Sequence, residues 1–333
     1  MSVPRNSRSF RDPNPSHRRP APRSRQERES VVVQTAGTAH RQRIYVKEPC
    51  TLLPFLLQKL SGQSGTSVKN LLKHRCVLIN DAEIVTQFDR ELVVGDYISI
   101  LSANESKFGL FHPLLKTLYE DDFIMAVEKG SGLLSVDVTG GGAENACDIL
   151  DAHVKKRDPQ KRIYVVHRLD RDTSGVMLFA KCREAQSKLV ADWNDRVLER
   201  TYIAVSEGAP EPPQGTLDSY LYQDDQMVVH STNDPSKGLR AITHYKTLRA
   251  GRRFALLQLD LETGRTNQIR VHLQSIGHSI IGDEKYGATT NPIGRLALHA
   301  RKIRFYHPIT QKILRFEVPE PAAFGEIVDS DAL

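Results

Sequence analysis

Apolar residues in this chain fall into short runs broken by dense polar segments. Residues 163–166 and 176–180 have the length and composition of short, buried strands. Between them stands His167-Arg168-Leu169-Asp170-Arg171-Asp172-Thr173-Ser174-Gly175, with five charged or titratable side chains and two hydroxyls in nine residues. The pattern predicts a polar loop held between two core strands, where functional side chains concentrate. A second polar segment follows the apolar residues from Phe254. There the pattern reads strand, turn at Gly264, then a helix ending at Gly277, a natural C-cap residue. On that helix Ile269, Leu273 and Ile276 share an apolar face. Arg270 and Gln274 lie one turn apart on a polar flank with Asn267. An arginine so placed is ordinarily solvated.

Upstream, Leu52, Leu53, Phe55, Leu56, Leu57 and Leu60 predict a short helix with a wide apolar face. A second helix has Ser67 as its N-cap and Val68, Leu71 and Leu72 inside, with Lys69, Lys73 and Arg75 making its surroundings basic. Residues 77–79 read as a strand, Asn80-Asp81 as a turn, and Gly95-Asp96 leads into a strand at 97–100. Residues 183–196 predict a helix with Ala185, Leu189 and Trp193 on one face. Short strands alternating with turns and a few helices from Leu118 onward indicate an α+β fold. Gly140-Gly141-Gly142 lacks the G-K-[ST] of a phosphate-binding loop and reads as a flexible loop.

The length of 333 residues leaves room for about two domains. Hydrophobic and charged contents of 39% and 26% are ordinary for a globular protein. No apolar run is long enough to span a membrane and no signal peptide is visible, so a cytoplasmic protein with no membrane partner is expected. Cys50, Cys76, Cys147 and Cys182 form no C-x-x-C pair, which points to neither zinc nor a disulfide framework. The remaining histidines show no metal-ligand spacing, and no metal is expected.

The net charge of +6 is unevenly placed. Residues 1–30 hold eight Arg against three acids, leaving the rest near neutral. Residues 1–40, rich in Arg, Pro and Ser, cannot bury enough surface to order themselves and read as a disordered arm. Such an arm suits RNA phosphates; a solvated tail or targeting peptide is the alternative.

Among the loop's residue types, Asp170 lies beside Arg168, Arg171 and His167, which favour its ionised, nucleophilic form. Thr173, Ser174 and Gly175 suit a tight turn. A Ser174–His167–Asp170 triad is conceivable, but no G-x-S-x-G elbow is present. A salt-bridged surface turn is the plain alternative.

The loop H-R-L-D-R-D-T-S-G and the segment T-G-R-T-N-Q-I-R-V-H-L together resemble the RluA-type family of RNA pseudouridine synthases. Matching segments follow in order: 199–205 (E-R-T-Y-I-A-V), 282–287 (G-D-E-K-Y-G) and 296–300 (L-A-L-H-A). The likeness spans roughly residues 118–319. The upstream helices and strands resemble an S4 RNA-binding domain, an arrangement also found in that family. The resemblance implies a mixed, largely antiparallel sheet, conversion of uridine to pseudouridine in RNA, and no cofactor. It implies Asp170 as the catalytic aspartate, Tyr202 as the tyrosine that stacks on the base and is implicated in proton removal, and Arg270 as the aspartate's partner. Substrate contacts are expected from His167, Arg168, Arg171, Thr173, Arg265 and Gln268, and from Lys69, Lys73 and Arg75 of the basic helix. Two departures stand out. Asn267 replaces a common histidine, and Glu128-Lys129-Gly130-Ser131-Gly132 replaces K-P-x-G. Neither is expected to touch the catalytic trio, though the second leaves the loop shape near Lys129 open.

The resulting expectation is an arm (1–40), an S4-like module (41–103), a linker (104–117), a catalytic domain (118–325) and a tail (326–333). The protein is expected to act as a monomer on structured RNA, large-subunit ribosomal RNA first and transfer RNA as the alternative substrate. Rival readings are a non-catalytic ribosome-assembly factor and a Ser174 hydrolase.

Overall fold

The computed structural model describes residues 32–35, 43–81, 83–102, 106–107, 109–138 and 140–332. Most of the expected N-terminal arm lies outside them. Within it, β1 (Val32–Thr35) pairs in parallel with a C-terminal strand, so these four residues depart from the disorder expected of them.

A small module comes next: β2 (Arg43–Tyr45), β3 (Cys50–Thr51), α1 (Leu52–Lys59), α2 (Gly65–Lys73), β4 (Val77–Ile79), β5 (Glu83–Ile84), β6 (Glu91–Leu92) and β7 (Tyr97–Ile100). It has its own core, in which Leu52, Leu56, Val68, Leu72, Val77 and Ile98 are buried. The N-cap of α2 is Ser64 rather than Ser67; its Oγ accepts the Ser67 amide at 3.1 Å. Asn80 and Asp81 turn the chain with φ of 54° and 55°, a left-handed region that short polar side chains tolerate.

The remaining chain forms β8 (Leu115–Glu120), β9 (Ile124–Lys129), α3 (Ala146–Lys155), β10 (Tyr164–Val165), β11 (Ser174–Ala180), α4 (Arg183–Ala191), α5 (Trp193–Arg196), β12 (Val197–Glu207), β13 (Gln214–Gln223), β14 (Val229–Thr232), β15 (Leu239–Ala250), β16 (Phe254–Leu261), α6 (Gln268–Ser275), β17 (Leu298–Tyr306), β18 (Ile313–Glu317) and α7 (Ala322–Ala332). Among the described residues the strands make one twelve-stranded sheet with the main path β14-β13-β15-β16-β12-β17-β11-β9-β8. Neighbours on this path are antiparallel except β11 and β17, which run parallel with Ser174 opposite His299 and Gly175 opposite Ala300. The mixed, largely antiparallel sheet expected of the family is found. All seven residues of β11 are buried, matching the unbroken apolar run that follows Gly175.

Several boundaries differ from the sequence reading. The helix expected over 183–196 breaks at Asp192, whose φ and ψ of −113° and 30° separate α4 from α5. The linker ends earlier, because Leu115 is already buried in β8. Residues 326–332 are helix rather than tail. Phe324 and Val328 of α7 enter the core, and Asp329 and Asp331 pair with Arg249 and Arg253. Ile276 is 36% exposed instead of core-facing, because α6 ends at Ser275 and Gly277 turns the chain at φ +80°. No helix among the described residues is long and apolar enough to cross a membrane.

Candidate active site

β10 and β11 form a hairpin, and the 166–173 loop at its end lines a cleft of about 420 Å³. The opposite wall is the turn from Leu261 into α6, and Tyr202 of β12 lies between. Asp170, Tyr202 and Arg270, one hundred residues apart at the extremes, all line this cleft. Arg270 Nη1 stands 3.3 Å from Asp170 Oδ2. The arginine is held from behind. Its Nε and Nη2 each donate to Asp283 at 2.7 Å, and its guanidinium lies 4.8 Å from the centre of the Tyr286 ring. Burial works against the arginine's charge, but the hydrogen bonds and charge of Asp283, with those of Asp170, hold its pKa above the ordinary value.

Asn267 is part of this arrangement, contrary to expectation. It takes φ +53° at the start of α6, accepts from Arg270 Nη1 at 3.1 Å, and donates to Tyr286 Oη at 2.8 Å. The substitution for histidine therefore touches the trio directly.

The loop near Lys129 is also settled. Lys129 is fully buried, and its ammonium donates to the carbonyls of Gly130, Leu133 and Arg171 at 2.8–2.9 Å. Burial lowers its pKa to about 8. Ser131 Oγ donates to the Asp172 carbonyl, and the Gly132 amide to that of Arg171. Ser135 binds both the amide and the carbonyl of Leu169. The departure from K-P-x-G thus lies against the backbone just after Asp170, while Ser135 holds Leu169 just before it.

On the far side, Arg295 donates to Ser174 Oγ at 2.9 Å, and Ser174 lies 2.8 Å from His299 Nδ1. His299 Nε2 donates to the Val318 carbonyl at 3.1 Å, which leaves Nδ1 to accept the serine proton. Burial lowers the His299 pKa to about 4, so the ring is neutral. His167 Nε2 accepts from the Leu178 amide at 2.9 Å, and burial brings its pKa down to about 3. The imagined Ser174–His167–Asp170 triad is not assembled: the serine is buried on a different histidine.

The other expected contacts divide. Arg168, Thr173 and Arg265 line the cleft, and Thr173 Oγ1 is buried without a protein partner. Gln268 also lines it, but its amide is fully engaged. Its Oε1 accepts from Thr263 Oγ1 and the Arg265 amide, while its Nε2 donates to the Ile242 carbonyl and Thr243 Oγ1. It braces the turn instead of offering a free contact. Arg171 is absent from the cleft lining and pairs with its neighbour Asp172 in solvent. Lys69, Lys73 and Arg75 sit on or just after α2 in the small module, none of them among the cleft residues. Burial raises the Tyr202 pKa to about 12, so its phenol is protonated at neutral pH. Asp283, Lys129 and Arg295 went unassigned from sequence; Asp283 lies in G-D-E-K-Y-G, whose order was legible but whose role was not.

Residues 124–275 match the family model of the RNA pseudouridylate synthases. "Uncharacterized RNA pseudouridine synthase YhcT" of Bacillus subtilis is 32% identical over 257 residues, covering 77% of this chain and 85% of that protein. The chain belongs to the RluA-type RNA pseudouridine synthases. This RluA-type enzyme is also 33% identical to "Ribosomal large subunit pseudouridine synthase D" of Haemophilus influenzae, covering 80% of this chain and 86% of that one. Its fold is similar to that of "Human RNA Pseudouridylate Synthase Domain Containing 4", with a TM-score of 0.51 at 22% identity, covering 63% and 90% of the two chains.

Proposed function

We propose that this RNA pseudouridine synthase isomerises defined uridines of large-subunit ribosomal RNA, with Asp170 as the carboxylate that acts on an extruded nucleotide. The observation that carries the assignment to Asp170 is its 3.3 Å contact with Arg270 in an open cleft. The N1–C1′ bond breaks, the uracil rotates, and a C5–C1′ bond forms. The C5 proton leaves and N1 ends protonated, so there is no redox change and no net hydrolysis. Asp170 either attacks C1′ or abstracts a proton that triggers cleavage; both need an ionised, oriented carboxylate, which Arg270 supports electrostatically.

Extruding a base from a stack costs a few kcal/mol, less in a loop than in a duplex. Stacking on Tyr202 offsets this by ~1–3 kcal/mol. Its protonated phenol suits a stacking surface first; proton removal from C5 by this group requires the phenol to ionise on substrate binding. Arg168 and Arg265 suit the nucleotide's flanking phosphates, and Thr173 Oγ1, buried without a partner, meets the nucleotide once the loop shifts to uncover it. The small module, with Lys69, Lys73 and Arg75, is proposed as an S4-like RNA-binding unit. Relatives named for the large ribosomal subunit support that substrate class.

The test is tritium release from RNA carrying C5-labelled uridine. Ribosomal RNA should release label with the wild type and not with Asp170→Asn. Release from transfer RNA alone would overturn the ribosomal assignment, and undiminished release by Asp170→Asn would overturn the role of the aspartate.

A further inference from the structure

The break at Asp192 does more than shorten a helix. It carries Trp193 out of α4 and onto the wall of the cleft, with Asn194 beside it, while its ring still packs on the cluster of Ala185 and Leu189. Trp193 remains partly exposed there while packing on core residues behind. Its ring centre lies 4.9 Å from that of His167, at 37° between planes. His167 is itself fixed by the Leu178 amide, so the indole leans on an immobile support. His167 precedes Asp170 by three residues, so their Cα atoms lie within ~11 Å of each other. Arg168, exposed between them in sequence, also lines the cleft. None of the steps proposed above uses Trp193. An aromatic surface beside an exposed cationic side chain is the combination that holds single-stranded nucleic acid without reading its sequence.

We propose that Trp193, braced by His167, is a second stacking subsite, which receives the base next to the extruded uridine while Arg168 meets the intervening phosphate. The subsite takes a nucleobase of an unpaired RNA segment. This holds the neighbouring nucleotide apart from the target and keeps the two from restacking. The proposal rests on the RNA-isomerising function, and its test separates the two.

Trp193 is the chain's single tryptophan, so emission excited at the red edge of the indole band, beyond tyrosine absorption, reports this position alone. An RNA that the wild type modifies is first identified by tritium release from C5-labelled ribosomal and transfer RNA. That RNA is then titrated into Asp170→Asn, which prevents turnover. Emission is expected to be quenched at saturation and the indole shielded from acrylamide. In parallel, Trp193→Leu should raise KM roughly tenfold with kcat little changed, and Trp193→Phe should restore KM. RNA that is bound and modified while emission and acrylamide access stay unchanged overturns the subsite and leaves the function standing. Equal KM values for the wild type, Trp193→Leu and Trp193→Phe overturn it likewise. Absence of any modification overturns both. Should Trp193→Leu fail to fold, the emission and acrylamide measurements decide, since they keep the tryptophan.

Discussion

Asp283 grips Arg270 with two parallel 2.7 Å hydrogen bonds, leaving one guanidinium nitrogen to face Asp170. Asp283 is only 2% exposed, and its place in the cleft is indirect. The bidentate grip fixes the plane of the guanidinium, so the 3.3 Å approach to Asp170 follows from a contact made elsewhere. Asp283→Asn keeps the shape but loses the charge and one acceptor. It should lower kcat about a hundredfold, the order expected when a group near the chemistry is misplaced by an ångström, with KM for RNA little altered. Asp283→Ala strands a buried guanidinium and should also lower stability by ~3–5 kcal/mol. Steady-state tritium release and urea melts check the pair. An Asp283→Asn enzyme with wild-type kcat would remove Asp283 from the positioning of Arg270.

Lys129 gives a prediction about the loop itself. Its three donors meet three carbonyls, including that of Arg171 directly after Asp170. Lys129→Met keeps the length of the stem and takes the ammonium from all three carbonyls, of which only that of Arg171 keeps a second donor among the described residues, the Gly132 amide. Each unmade bond in a buried place costs ~1–3 kcal/mol, so a loss on the order of 3 kcal/mol or more is expected in urea unfolding. Activity measured on the folded fraction should fall as well, because the backbone around Asp170 loses its brace. A Lys129→Met protein as stable as the wild type would contradict this account.

Gly175 tests the one parallel join of the sheet's main path. Its φ is +117°, and a Cβ there would stand 2.2 Å from the Ala300 carbonyl oxygen. That oxygen belongs to a central strand and cannot move aside. Gly175→Ala should therefore separate β11 from β17 at the base of the catalytic loop. The expected outcome is insoluble or severely destabilised protein, by more than ~3 kcal/mol. Normal yield and an unchanged urea midpoint would show that the junction yields more readily than its geometry implies.

The same junction shows what the sequence could convey. The loop at 167–175 was legible because apolar runs bracket it, and α6 because its period and Gly277 agree. Local signals of this kind depend on neighbours in the chain. The grip of Asp283, the three-way hold of Lys129 and the relay from Arg295 through Ser174 to His299 depend on residues brought together by sheet order. Periodicity carries nothing about such order. Family resemblance supplied the pairing of Asp170 with Arg270, and the residue types alone favoured a solvated arginine. Trp193 was rightly grouped with Ala185 and Leu189, whose cluster it packs on, but its spacing suggested one unbroken helix where the chain breaks at Asp192 and adds the cleft wall to its contacts.

Three histidines, two of them buried and His167 half-buried at the cleft, predict how the enzyme fails in acid. His167, His272 and His299 have pKa values lowered by burial to about 3, about 4 and about 4, against 6.5 for the unperturbed group. As pH falls below 6.5, the unfolded chain takes up protons at these sites and the folded protein does not. Stability therefore declines with falling pH, from about 6.5 down to about 4 for His272 and His299 and to about 3 for His167, as each group passes its folded value. Each histidine contributes a slope of up to ~1.4 kcal/mol per pH unit in that window. His272 sits between Thr243 Oγ1 at 2.9 Å and Ser219 Oγ at 3.1 Å, away from the reacting groups, and is the one to substitute. His272→Gln removes one titrating site, so its stability in urea should fall less steeply with pH than that of the wild type, even if it starts lower. Parallel pH dependences for the two proteins between 6.5 and 4 would show that His272 is not held neutral by the fold.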